Sequence, residues 1–519
     1  MKKTTWWLAT ALILFTLTPA VAQRLQRGAA GVPPMPKDES REVAKYVPPS
    51  PEEKTVTTEH RTMIDGKEIR YTATTGTLLL KEEDGKPKAS IFFIAYTRDG
   101  VQDRSRRPVT FTYNGGPGSS SVWLHMGAFG PRRVEMGEEG FTAAPPYPLV
   151  NNESSLLDVT DLVFIDPVTT GYSRAVPGED PKQFYGIEED AQAVGEFIRL
   201  WTTRFGRWSS PKFLAGESYG TTRAAGLALH LDQRYGMQLN GVVLISSILN
   251  WQNQEFNAGN DMPYVIHLPT YAATAWYHKK LPPELSGDLK QTLAEVEGFA
   301  LNEYASALLQ GDRLAPEKRK EIAARLARYT GLSPEYVERS NLRIEIFRFT
   351  KELLREEGKT VGRLDTRFTG TDLDAAGEFP EFDPSSVSLD GPYAATVNDY
   401  VRRELGFESD LVYERLSRKV RPWNWQGSEN RYLNMAENLR QAMTRNPKLR
   451  VLVTSGYYDL ATPYFDAFYT ADHLGLPPEL KGNVGIELYE SGHMMYIRKE
   501  DHRKLREDMA KFIREAVEP

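Results

Sequence analysis

The chain of 519 residues has no cysteine. That absence excludes a thiol nucleophile, a disulfide framework and any cysteine-ligated metal. Stability must then come from packing alone, which a chain of this size can supply. An excess of one charge is also missing: 64 Lys and Arg stand against 70 Asp and Glu, a net charge of −6, and this argues against nucleic acid as a partner. No His-Glu-x-x-His and no dinucleotide fingerprint occurs, so neither a metal nor a cofactor is expected. Gly358-Lys359-Thr360 resembles the end of a phosphate loop, but Leu353 stands where that motif needs glycine, and the segment reads as a helix end. No internal repeat is evident.

Long apolar runs are equally scarce. Residues 6–17 form a mostly apolar stretch after Lys2 and Lys3, and Ala20-Val21-Ala22 offers a cleavage site before Gln23. This is the pattern of a secretory signal peptide. The run is too short to span a bilayer, and nothing after it is long and apolar enough to do so; a retained anchor is the other reading. The short signal suits a bacterial export system, which places the mature chain in the periplasm or the medium, without stable membrane insertion. Residues 23–55, rich in Pro and charge with no period, read as a flexible leader. Asn152-Glu153-Ser154 fits a glycosylation sequon but is taken as chance.

What is present is a nucleophile signature. Gly216-Glu217-Ser218-Tyr219-Gly220 follows the apolar run Phe213-Leu214-Ala215. A Gly-x-Ser-x-Gly turn between strand and helix is the nucleophile elbow of an α/β-hydrolase, because the turn is too tight for side chains flanking the serine. Upstream, Val109-Thr110-Phe111-Thr112-Tyr113 alternates like a buried strand and runs into Asn114-Gly115-Gly116-Pro117-Gly118. Three glycines there leave backbone N–H groups uncovered, as an oxyanion hole requires. Downstream, Val451-Leu452-Val453 leads to Asp459, and a strand over residues 486–489 leads to Glu490-Ser491-Gly492-His493. The order Ser, Asp, His is that of the α/β-hydrolase triad.

In this reading Ser218 attacks a carbonyl carbon, His493 takes and returns the proton, and Asp459 fixes the imidazole. The N–H groups of Gly116 and Tyr219 face the oxyanion, each worth roughly 10² to 10³ in rate. Of eight histidines only His473, His493 and His502 follow Asp459. His473 falls in a helix-like stretch, 465–474, and His502 in the charged start of the last helix, so both are expected at the surface. Asp466 and Asp472 are rivals to Asp459, but both sit on that helix.

The Asn-Gly-Gly-Pro-Gly segment, the Gly-Glu-Ser-Tyr-Gly elbow, Phe164-Ile165-Asp166-Pro167 with Gly171-Tyr172-Ser173, and Gly492-His493-Met494 together resemble the serine carboxypeptidase family. Val122-Trp123-Leu124-His125-Met126-Gly127 looks most like its bacterial members. The resemblance covers residues 75–250 and 445–519; the middle does not match by motif. It implies a peptide substrate whose free C-terminal carboxylate is bound by Asn114, Gly115 and Glu217, and a preference for acid, in which Glu217 carries a proton. One departure is Ala128, where many members place a second Glu bonded to the first, and this weakens the expected carboxylate recognition. Another is Ser119, where many members have cysteine. Without the resemblance, Glu217 is an elbow filler and Asn114 a turn residue bonding its own backbone. The loop 166–173 reads as a brace for the site, with Tyr172 facing the cleft, and the amide-rich loop 250–261 should lie at the same rim.

The expected architecture is an α/β-hydrolase fold, a central mostly parallel sheet flanked by helices, with a large mainly helical cap insertion. The core occupies residues 56–250 and 441–519 and the cap residues 251–440. Asp65-Gly66, Asp84-Gly85 and Asp99-Gly100 are hairpin signals that predict an antiparallel start to the sheet. Ile187, Ala191, Val194, Ile198 and Trp201 mark an amphipathic helix, and the small, apolar stretch 221–231 a helix behind the elbow. Residues 282–357 are charged and helical, with breaks at Gly287, Gly311 and Gly331, whereas Pro380, Pro384 and Pro392 mark an irregular stretch. The functional reading is a secreted serine-type carboxypeptidase acting through an acyl-enzyme. An esterase or acyltransferase with the same triad and a binding protein on an inert hydrolase fold are the alternatives. The sequence leaves the oligomeric state open.

Overall fold

The computed structural model describes residues 52–142, 144–425 and 431–518, so the expected signal peptide and nearly all of the expected leader lie outside the described residues. Two hairpins begin the sheet: β1 (Thr55–Ile64), β2 (Lys67–Lys81) and β3 (Pro87–Arg98) pair antiparallel in turn. Asp65 and Gly66 both take positive φ, 48° and 71°, as a tight two-residue turn demands. Glu53 accepts from Leu79 N and Lys54 N donates to Thr77 Oγ1, so the end of the expected leader is already part of the sheet. Asp99-Gly100 makes no hairpin. The chain leaves β3 through a short 3-10 turn to β4 (Val109–Tyr113), while β3 itself pairs antiparallel with β5 (Asp161–Ile165). A turn dipeptide marks a reversal of direction, not the strand that follows it in the sheet.

Beyond β5 the sheet is parallel. Strands β6 (Lys212–Glu217), β7 (Gly241–Ile245), β8 (Arg450–Gly456) and β9 (Val484–Tyr489) complete the order β1-β2-β3-β5-β4-β6-β7-β8-β9, with Arg174–Ala175 as a tenth, short strand on β3. The inner strands are buried on both faces, and alternate side chains feed separate cores. Val242 and Leu244 join one cluster with Trp201 and Leu227, whereas Val243 and Ile245 join the other with Phe213 and Met509. Helices α1 (Ile187–Arg204) and α2 (Tyr219–Tyr235) cover the first face, and the five apolar positions read from the sequence of α1 are all buried.

Between β7 and β8 the chain is mainly helical, with α3 (Met262–Tyr277), α4 (Leu289–Phe299), α5 (Pro316–Thr330), α6 (Pro384–Arg403) and α7 (Ala436–Arg445) among its elements. It has a core of its own, to which Tyr457, Tyr464 and Phe465 of the second core segment contribute. Gly311 and Gly331 end their helices at φ 53° and 71°. The stretch marked irregular by its prolines is instead α6, 20 residues long. Asp383 caps it by accepting from Ser385 N and Ser386 N, and Pro384 sits at the first position, where a missing N–H costs nothing. Helix α8 (Tyr464–Asp472) follows β8, and α9 (Lys499–Val517) closes the chain.

Parallel pairing brings the strand ends into register. Tyr113 lies opposite Gly216, Glu217 opposite Ile245, Ile245 opposite Thr454 and Gly456 opposite Tyr489. Every segment singled out for chemistry therefore leaves the same carboxyl edge of the sheet.

Candidate active site

Ser218 stands between β6 and α2 at φ 60°, ψ −130°, a conformation that costs about 1–3 kcal/mol for a residue with a side chain. Its N–H donates to Ile245 O at 2.9 Å, and its carbonyl accepts from Thr221 N and Thr221 Oγ1. The flanking glycines are steric necessities: a Cβ on Gly216 would lie 2.2 Å from Gly220 O. The Asn114–Gly118 loop presses on this turn, since a Cβ on Gly115 would come within 2.4 Å of Tyr219 N. Tyr219 N is the first N–H of α2, one of the helix donors that lack an intrahelical acceptor. Gly116 turns at φ 103° beside it and lines the same cleft as Ser218.

His493 Nδ1 and Asp459 Oδ2 are 2.7 Å apart. Asp459, fully buried, also accepts from Ala461 N, Thr462 N and Thr462 Oγ1, so both carboxylate oxygens are satisfied and the side chain is fixed. Thr462 Oγ1 lies 3.2 Å from His493 Nδ1. The backbone of His493 is held as well: His493 N donates to Leu364 O, and Ser246 Oγ donates to His493 O. Burial disfavours the imidazolium, but the charge of Asp459 and its hydrogen bond outweigh that and raise the pKa. The structure thus joins His493 to Asp459 by a hydrogen bond, and to Ser218 by the cavity both of them line.

Glu217 is buried beneath the cavity and receives two donors, Asn114 Nδ2 at 2.8 Å and Tyr496 OH at 2.7 Å. Asn114 Oδ1 accepts from Leu124 N; Asn114 thus ties two segments together instead of capping its own turn. Burial pushes the Glu217 carboxyl up to about 7, against the opposing pull of His493, Tyr496 and Asn114. Ala128 does leave the expected second carboxyl absent, but Glu217 is not left alone: Tyr496, whose ring packs against Gly127, supplies a neutral donor. Arg223, the one arginine in the small, apolar stretch behind the elbow, donates to Asn114 O and pairs with buried Asp190. A lone cation in such a stretch was the signal for this brace. Tyr496 and Thr462 carried none.

The cavity, about 650 Å³, has one wall from the sheet edge and another from the segment between β7 and β8, including Arg363, Leu364, Leu389 and Leu416. Backbone bonds fasten this second wall to the glycine loop: Ser417 N donates to Gly118 O and Ser120 N to Arg415 O. Ser119 Oγ donates to Arg415 O as well.

Other expectations sort themselves by burial. His473 is exposed and bonded within α8 to Tyr469 O. His502 is not a surface residue: it is buried and its Nε2 bonds Ala128 O, because the first turn of α9 packs its apolar face inward. Asp466 accepts from Asn253 Nδ2, so the amide-rich loop ties α8 to the start of the inserted segment. Tyr172 does not face the cleft. It packs on Phe92, Phe407 and Tyr413, while Asp166 braces the site by accepting from Ser121 N and Oγ. Asn152 is buried, bonded to Ala128 O and Gly130 O, which fits the reading of its sequon as chance.

A family model described as serine carboxypeptidase matches residues 73–487. The match runs through the middle segment, which no motif had reached, and stops short of His493. The pheromone-processing carboxypeptidase KEX1 of Phaeosphaeria nodorum is 29% identical over 27% of this chain and 20% of its own length. Serine carboxypeptidase-like 36 of Arabidopsis thaliana is 27% identical over 32% of this chain and 34% of its own. The matches therefore span a fifth to about a third of these curated relatives, which are fungal and plant. Among solved structures, KEX1(delta)p, a prohormone-processing carboxypeptidase from Saccharomyces cerevisiae, superposes with a TM-score of 0.54 at 16% identity, over 86% of this chain and 92% of that one, and shows the α/β-hydrolase fold.

Proposed function

From the premise that this chain belongs to the serine carboxypeptidase family, we propose that it releases C-terminal residues from peptides through an acyl-enzyme on Ser218. The observation that carries this reading is the hydrogen-bonded Asp459–His493 pair opening on the cavity lined by Ser218. His493 removes the Ser218 proton as Oγ attacks the scissile carbonyl. Asp459 holds the ring tautomer and stabilises the imidazolium, whose pKa it raises. Gly116 and Tyr219 N–H groups receive the oxyanion. His493 then protonates the leaving amine, and water repeats the sequence on the acyl group. Asn114, Gly115 and Glu217 form the floor on which the departing residue rests.

Glu217 gives the site a pH signature. Below about 7 it is neutral, so a substrate carboxylate meets no like charge; above that it is ionised and repels one. The KM for a free-acid peptide should therefore rise as pH increases through 7, while a neutral ester shows no such rise. The same group burdens the fold. With its pKa raised from 4.5 to about 7, the folded chain binds the proton more tightly than the unfolded one. Stability is then lost between those two pH values and stays level above them, by on the order of 3 kcal/mol. Glu217→Gln should accordingly raise the melting temperature at pH 8 more than at pH 4.5; an equal change at both would remove this account.

The direct test pairs N-blocked peptides that differ only at the C-terminus, free acid or amide, with Ser218→Ala as control. Cleavage of the acid alone is expected. Cleavage of neither, with an ester still turned over, favours the esterase or acyltransferase reading, which Ala128 and the fully engaged Glu217 oxygens support. The insertion, residues 251–440, serves in this account as a cap that sets specificity. The signal-like start supports secretion to the periplasm or medium, and with residues 122–127 it supports a bacterial member, although the relatives named above are fungal and plant. Among the described residues no helix is long and apolar enough to cross a membrane.

A further inference from the structure

We propose that Arg363 is the cation that binds the terminal carboxylate of the substrate, an inference that rests on the carboxypeptidase reading. Arg363 is half-buried and lines the cavity shared by Ser218, Glu217 and His493. Its backbone is fastened to the catalytic segments on both sides. Arg363 O accepts from Leu460 N, next to Asp459, and the adjoining Leu364 O accepts from His493 N. The backbone that carries Arg363 is therefore registered with the backbone of His493 and with Leu460. The charge of Arg363 is felt there, as one of the influences that lower the basicity of His493.

The acidic side chains of the cavity are engaged. Asp383 accepts from the N–H groups of Arg363, Leu364, Ser385 and Ser386 and from Ser385 Oγ. Asp390 pairs with Arg415, and Glu414 pairs with Lys419. Glu217 takes Asn114 and Tyr496. Among the described residues the Arg363 side chain has no carboxylate partner within ion-pair distance. Arg418 and Arg421 also line the cavity but stand exposed at its rim. A half-buried arginine without a partner, beside a floor that offers no second acid, leaves a site for an anion. A guanidinium receives a carboxylate through two parallel N–H donors. With Ala128 in place of a carboxyl, recognition of the terminus passes from a shared proton to a fixed cation.

The test compares wild type, Arg363→Ala and Arg363→Lys on a blocked peptide acid with a neutral last side chain, the same peptide acid with glutamate as its last side chain, and a neutral ester. Arg363→Ala should lower the ratio of kcat/KM for the acid over that for the ester by about 10- to 100-fold, mainly through KM. Arg363→Lys should recover part of it, since the charge remains and the fork does not. Equal losses on acid and ester would make Arg363 a support for His493 and overturn the proposal. A loss confined to the glutamate substrate would overturn it too, by moving the anion to a side chain. If wild type turns over the ester but releases nothing from the acid, the carboxypeptidase reading itself falls. If wild type prefers the acid and Arg363→Ala keeps that preference, only the role of Arg363 falls.

Discussion

Replacing Ser218 with alanine is expected to cost about 10⁶ in kcat while leaving the fold intact. The elbow holds its strained backbone through Ile245 O, Thr221 N and Thr221 Oγ1, none of which touches the hydroxyl. Alanine keeps the Cβ, so it inherits the same positive φ without new strain. The residual rate would come from the oxyanion donors and substrate binding alone. Single-turnover kinetics on a chromogenic ester, with melting followed in parallel, check both halves. Retention of a tenth of the wild-type turnover would end the assignment of the nucleophile.

Replacing His493 with alanine should be comparably severe, and the two neighbouring histidines provide the contrast. In the proposed mechanism, loss of the ring leaves Ser218 without its base and the leaving group without its acid. Asp459 keeps Ala461 N, Thr462 N and Thr462 Oγ1, so its buried charge is not orphaned and the chain should still fold. His473→Ala, at an exposed position on α8, should leave kcat within a factor of about two, as surface changes rarely reach a site. His502→Ala should instead lower stability by about 2–4 kcal/mol, through the cavity left by a buried ring, with Ala128 O still held by Asn152 Nδ2, and leave kcat close to wild type. A large kcat loss in His473→Ala with activity retained in His493→Ala would reassign the base.

The strands were legible because their side-chain period and the turns after them act locally. Residues 109–113 are a strand to the residue, and the glycines of the elbow announce the close contacts that they avoid. Ser218, Asp459 and His493 could be ordered from the sequence because each follows a strand. Tyr496 could not: its bond to Glu217 spans 279 positions, and nothing around it differs from an ordinary buried tyrosine. Helix α6 was hidden for the opposite reason. Two of its residues are proline, and the first-turn position that makes Pro384 harmless is visible only once the backbone is placed. His502 misled because one charged face of α9 hides the other, which is buried. In each case burial across the fold overrode what neighbours in sequence suggested.

The cavity roof is stitched to the glycine loop through Ser417 N, Ser120 N and Ser119 Oγ, at a place where sulfur is absent. Thiols and oxidants consequently have no handle on it. The seam would hold in a reducing lumen or an oxidising medium alike, and open with heat, urea or mechanical load. A seam fastened in this way needs no oxidation step to close, because it forms as the backbone folds.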